Sequence, residues 1–66
     1  MKIKVRIGSV AFVVDQIDID GADGGALVCL EYPELQYGVC CHTLEESIQM
    51  MGDFLKKEYN LEGEIS

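Results

Sequence analysis

Between Gly8 and Leu55 the chain has no lysine and no arginine. The same stretch holds nine carboxylates: Asp15, Asp18, Asp20, Asp23, Glu31, Glu34, Glu45, Glu46 and Asp53. The five bases, Lys2, Lys4, Arg6, Lys56 and Lys57, sit near the two ends, and the net charge is -7. A polyanion would be repelled by such a surface, which argues against direct nucleic-acid binding. Long apolar runs are also missing. The longest uncharged and mainly apolar stretch, Ile7 to Val14, falls far short of the roughly 20 residues that span a bilayer. Met1 is followed by a charged alternation, Lys2-Ile3-Lys4-Val5-Arg6, not by the apolar stretch of a secretory leader. The expectation is a soluble cytoplasmic protein of a bacterial cell, encoded by the host or by a phage, with no membrane partner. No Gly-rich loop has Walker or Rossmann spacing, and no segment repeats or is of low complexity.

Cysteine is scarce and odd in number: Cys29, Cys40 and Cys41. In a short chain without a leader this argues against a disulfide scaffold. Adjacent residues on a strand point to opposite faces, so a Cys40–Cys41 bridge would be strained. The expected state is reduced, with one or two of the three acting as small buried apolar groups.

What is present is a folded globule's composition. Hydrophobic residues make up 48% of the 66 residues, with three Tyr, two Phe and no Trp. That content argues against disorder. A chain this short holds one domain, residues 1–66, and buries only about 60% of the surface its unfolded form exposes. Deep catalytic clefts are hard to build at that size.

Residues 2–7 alternate strictly, with Ile3, Val5 and Ile7 on one side and Lys2, Lys4 and Arg6 on the other, the period of a half-buried strand. Gly8-Ser9 suits a two-residue type II′ hairpin turn into a second run, Val10 to Asp20. That turn predicts the pairs Ile7 with Val10, Val5 with Phe12, Ile3 with Val14 and Lys2 with Asp15. The apolar phase then changes from even (Phe12, Val14) to odd (Ile17, Ile19). A β-bulge near Asp15-Gln16 would keep both pairs on the core face and send Asp18 and Asp20 to solvent. Gly21 to Gly25 reads as a turn. Ala26 to Tyr32 reads as a central strand stopped by Pro33, Glu34 to Gln36 as a loop, and Tyr37 to His42 as a fourth strand.

Thr43 opens a helix through a capping box with Glu46. Leu44, Ile48, Met51, Leu55 and Tyr59 form its apolar stripe, Lys56 and Lys57 suit the negative end of its dipole, and Asn60 ends it. Residues 60–66 read as a loose tail. Met50 and Phe54 flank the stripe. They widen the core if buried and make a binding or dimer patch if exposed. Lys2, Lys4 and Arg6 would guard an edge strand against unwanted pairing. The fold class is α+β: an antiparallel four-stranded sheet, order β-β-β-β-α, with one C-terminal helix packed on one face.

The tests for chemistry are mostly negative. Cys40-Cys41-His42 invites a metal reading, but structural zinc needs four ligands, typically in two spaced pairs, and no second pair exists. The same adjacency points a Cys nucleophile and a His42 base apart. Asp18 to Gly24 resembles a calcium loop, yet the Gly comes two residues early and Cys29 stands where the bidentate Glu belongs. Nothing suggests a buried carboxylic acid beside an ionised one. No catalytic residue, metal or cofactor is expected.

The order Asp23-Gly24-Gly25, Pro33-Glu34-Leu35, Gly38 and Thr43-Leu44-Glu45-Glu46 resembles the HicB-like antitoxin domain over residues 23–59. That family usually continues Pro-Gly after Pro-Glu-Leu, where this chain has Gln36-Tyr37 before Gly38, and the hairpin through Gly8-Ser9 is additional. The resemblance implies a small antiparallel sheet with one helix, and a protein that caps a ribonuclease toxin. Small size and acidity also resemble phage anti-CRISPR proteins, which implies a CRISPR effector as partner.

From the charge, a basic nucleic-acid-handling protein or complex is the natural complement, bound as monomer or homodimer. The expected contact residues are Asp18, Asp20, Asp23, Glu31, Glu34, Glu45, Glu46 and Asp53. The alternative is a structural or oligomerising module whose acidity serves only solubility.

Overall fold

The computed structural model describes residues 1–19 and 27–66. Four strands, β1 (Lys2–Ile7), β2 (Val10–Ile19), β3 (Leu27–Tyr32) and β4 (Tyr37–Cys41), precede one helix, α1 (Leu44–Tyr59). The strands form one antiparallel sheet in the order β1-β2-β3-β4, so β3 is interior as its two apolar faces predict. The fold is α+β, with the helix laid across one face of the sheet.

The first hairpin follows from its turn. Gly8 takes φ +60 while Ser9 keeps a negative φ, which is the type II′ arrangement. The register is the predicted one: Ile7 opposite Val10, Val5 opposite Phe12, Ile3 opposite Val14 and Lys2 opposite Asp15. Lys2 Nζ reaches Asp15 Oδ1 at 3.5 Å. Val5, Ile7 and Val14 are buried, together with Leu30, Tyr32, Val39, Met51 and Leu55, in one core between sheet and helix. Ile3 and Phe12 pack against it, and Val10 lies at its exposed rim.

Three expectations are corrected. First, β2 carries no bulge at Asp15-Gln16. Asp15 pairs with Lys2 on one side and Glu31 on the other, and the β3 register runs on through Gln16–Leu30, Ile17–Cys29, Asp18–Val28 and Ile19–Leu27. A bulge in a strand flanked on both sides would break two ladders at once, so the pleat stays regular. Its consequence is that Ile17 is 42% exposed on the face away from the helix. Asp18 is described here only by its register, and Asp20, the Gly21–Gly25 turn and Ala26 lie outside the described residues.

Second, residues 60–66 are not a loose tail. Asn60 ends α1 in the left-handed conformation (φ 54), its N–H bonded to the Lys56 carbonyl. The chain then turns back along the outer edge of β1. Arg6 and Ser66 exchange two backbone hydrogen bonds of 2.9 Å, and the Gly8 N–H reaches the Glu64 carbonyl at 3.0 Å. Leu61 and Ile65 are half-buried against the core. Unpaired edge groups and two apolar side chains together outweigh the entropy of a free terminus.

Third, Cys29 and Cys40 are joined by a disulfide, and Cys41 is the free cysteine. Cys29 and Cys40 are register partners, and their Cα atoms stand 4.2 Å apart, near the spacing of a non-hydrogen-bonded antiparallel pair.

The helix begins as predicted, the Thr43 hydroxyl accepting the Glu46 N–H at 3.2 Å. Its buried face is shifted from the expected stripe. Ser47, Met51, Gly52 and Leu55 are buried, Ile48 is half-buried, and Leu44 and Tyr59 are exposed. Ser47 is tolerated there because its hydroxyl donates to the Val28 carbonyl at 3.0 Å. Gly52 is required because the Ile65 side chain occupies the space a Cβ would need.

Candidate functional site

The β3–β4 ladder and the short linker to Thr43 place the start of α1 at the end of the sheet where β2 leaves and β3 begins, and the Ser47–Val28 hydrogen bond fixes it there. Glu45 and Glu46 are exposed in the first helical turn, where the helix dipole favours negative charge. Asp18 lies within β2 near this end, opposite Val28, and Asp20 and Asp23 follow the strand in sequence. The bases go elsewhere. Lys2, Lys4 and Arg6 lie on β1, and Lys56 and Lys57 in the last turn of α1. Among the described residues this end therefore presents the Glu45 and Glu46 carboxylates, while Asp20 and Asp23 lie outside the described residues.

Three more of the expected contact residues, Glu31, Glu34 and Asp53, lie away from that end. Glu31 projects from the sheet face opposite the helix, beside its register partner Asp15. Glu34 sits in the 3-10 turn Pro33–Leu35 at the far end of β3. Asp53 is exposed on the outer face of α1 and accepts a hydrogen bond from Gln49 at 3.4 Å.

The Cys40-Cys41-His42 run is split three ways. Cys40 is bonded to Cys29 on the open sheet face, Cys41 is buried beneath the helix with its thiol 3.1 Å from Met50 Sδ, and His42 is exposed past the strand end. The strand alternation that argued against a shared ligand set from sequence has this result. Among the described residues no three ligating side chains group as a metal site.

Two features were not legible in the sequence. An aromatic cluster closes the end opposite Glu45 and Glu46. Phe12 contacts Tyr32 edge-on at 5.9 Å and Tyr59 at 5.2 Å between ring centres. The Tyr32 hydroxyl donates to Glu34 Oε2 at 2.9 Å, and with its single proton so used it accepts from the Tyr59 hydroxyl at 3.2 Å. The Tyr59 contact, then burial, then the Glu34 carboxylate hold the Tyr32 phenol well above the usual tyrosine range.

The second feature is a depression of about 380 Å³ bounded by Glu31, Tyr32, Pro33, Gln36, Tyr37 and Gly38. Gln36 is left-handed at φ 51, which carries the chain from the 3-10 turn into β4 and forms the rim. A shallower hollow of about 400 Å³ lies beyond Tyr37, bordered by Met50, Asp53, Phe54 and Lys57. Phe54 stacks flat on Tyr37 with ring centres 3.5 Å apart, so it is half-covered, whereas Met50 is 50% exposed. Of the pair that flanks the stripe, Met50 alone is left open to solvent.

Among the described residues no helix is long and apolar enough to cross a membrane. Family models, curated proteins and solved structures return no match to this chain.

Proposed function

We propose that this chain is a non-enzymatic inhibitor that binds a basic, nucleic-acid-handling protein and denies its groove to nucleic acid. The observation that carries the reading is the placement of Glu45 and Glu46. The fold brings Glu45 and Glu46 to the sheet end where β2, which carries Asp18, finishes; Asp20 and Asp23 follow it in sequence, and the bases lie on β1 and in the last turn of α1. Carboxylates presented together can occupy the positions of phosphates, and their field speeds encounter with a cationic surface. Both partner types named from the sequence share this physics. A HicB-like antitoxin would cap a ribonuclease toxin, and an anti-CRISPR protein would block a CRISPR effector. In either case the chain acts in the cytoplasm of a bacterial cell.

The test uses the chain immobilised on a resin and challenged with bacterial lysate. Proteins retained at low salt should elute steeply with added salt, and excess duplex DNA or RNA should displace them by competing for the same groove. Asp18→Lys, Asp20→Lys and Asp23→Lys together with Glu45→Lys and Glu46→Lys should abolish retention with the fold intact by circular dichroism. Retention that survives both the reversal and the nucleic acid sinks the proposal.

A second reading has its own observation. Val13 and Ile17 are 47% and 42% exposed on the sheet face away from the helix, and Met50 is exposed on the helix. An oligomerising module would associate through such surfaces with little salt dependence. Sedimentation at low and high salt separates it from the first reading.

A further inference from the structure

We infer that the depression at the β3–β4 turn is a guanidinium site, which receives an arginine side chain with Glu31 as its counter-ion. This deepens the reading above by naming the group on the partner that the chain recognises, and it rests on that reading only for the carrier of the arginine.

Three observations converge. The first is space. Glu31 and Gly38 are register partners, and a Cβ on Gly38 would stand 3.4 Å from Glu31 Cγ. The missing side chain opposite Glu31 leaves the hollow of about 380 Å³ that the glutamate borders. That volume falls within the range of small-ligand sites, about 300–1,000 Å³.

The second is charge. Asp15, Glu31 and Gly38 lie in one cross-strand row with Lys2 at its far end. Two carboxylates directly opposite each other on one sheet face repel. Lys2 meets Asp15 at 3.5 Å, with its own side chain 73% exposed. Glu31 makes no ion pair among the described residues. The row thus has an unbalanced negative charge at the hollow, which a cation entering there would relieve.

The third is the lining. Gln36 stands at the rim, and its side-chain amide supplies a further acceptor beside the Glu31 carboxylate. A carboxylate for a bidentate pair and an amide acceptor beside it suit the planar, weakly hydrated guanidinium better than a compact ammonium ion.

The experiment needs no partner. The intact chain, labelled with nitrogen-15, is titrated with N-acetyl-arginine amide and separately with N-acetyl-lysine amide. The amides of Glu31, Gln36, Tyr37 and Gly38 should shift and saturate in the millimolar range, roughly a Kd of 1 to 10 mM. The lysine probe should bind about tenfold more weakly, and Glu31→Gln should lose arginine binding while keeping the spectrum of a folded chain. Equal binding of the two probes, shifts spread over the whole surface, unchanged binding in Glu31→Gln, or no shift at all overturns the proposal. The probe comparison on the unmutated chain decides the matter even if Glu31→Gln does not fold. Failure here leaves the lysate-retention test standing, because that test reverses Asp18, Asp20, Asp23, Glu45 and Glu46 and leaves Glu31 alone.

Discussion

Ile65 sits in the place of the side chain that Gly52 lacks: a Cβ built on Gly52 would lie 2.8 Å from Ile65 Cδ1. The last turn of sequence is thereby keyed into the middle of the helix, and through the Arg6–Ser66 bonds it also pairs with the outer strand.

This contact predicts an order of severity. Gly52→Val should be worse than Gly52→Ala, since both displace Ile65 and the larger side chain displaces it further. Ile65→Ala should cost about 1–3 kcal/mol, less than a fully buried site because Ile65 is only half-buried. Deleting residues 61–66 should lower the melting temperature and make Arg6 and Gly8 amides exchange rapidly. Urea melts with hydrogen exchange check both, and a truncated chain as stable as the full one would refute the docked terminus.

Ser47 is fully buried, and its hydroxyl bonds to the Val28 carbonyl. Ser47→Ala should cost about 1 kcal/mol, the usual net value of such a bond. Ser47→Leu should cost more, because the helix lies directly on β3 at this point. Thermal melts of the two variants give the ranking, and a Ser47→Leu variant as stable as Ser47→Ala would place the helix start elsewhere.

The Cys29–Cys40 bridge closes a loop with a sequence separation of 11. Chain entropy assigns such a loop about 3 kcal/mol. Reduction, or Cys29→Ser with Cys40→Ser, should therefore lower stability by up to that amount and leave the fold in place, because the core lies on the other face of the sheet. Intact mass after alkylation, with and without reductant, checks the pairing. Alkylation of Cys40 in the unreduced chain would disprove it.

Tyr32 gives a pH dependence. Its phenol is held above the ordinary value near 10, so the neutral form is favoured in the folded state. Its contribution is fully present below pH 10 and is lost as pH rises above it, because the unfolded chain gives up its proton first. The slope from this group is at most about 1.4 kcal/mol per pH unit. Tyr32→Phe should flatten the fall in stability between pH 10 and 11. An unchanged profile would show that Tyr32 titrates like a free phenol.

Much of this was readable in advance. Gly8-Ser9 fixes the hairpin register by itself, because a glycine at positive φ followed by a residue at negative φ admits one two-residue turn. Thr43 and Asn60 mark the ends of the helix through their own hydrogen-bonding and left-handed propensities. The Cys29–Cys40 pairing was also within reach. A tight connection from Tyr32 to Tyr37 sets those two opposite each other, and counting back three from one and forward three from the other arrives at the cysteines. The acids were legible as a set. That Glu45 and Glu46 stand at one sheet end, Glu31 on the open face and Asp53 on the outer helix was not.

Local chemistry therefore determined where strands turn, where the helix starts and stops, and that the middle of the chain carries one sign of charge. Each of those depends on a few neighbouring residues. The tertiary structure decided that β2 stays regular, that Gly52 must be a glycine, that residues 61–66 are docked, and that Glu31 faces a hollow. Each of these depends on what lies across a ladder or beneath a helix, contacts between residues far apart in the chain that no local pattern encodes.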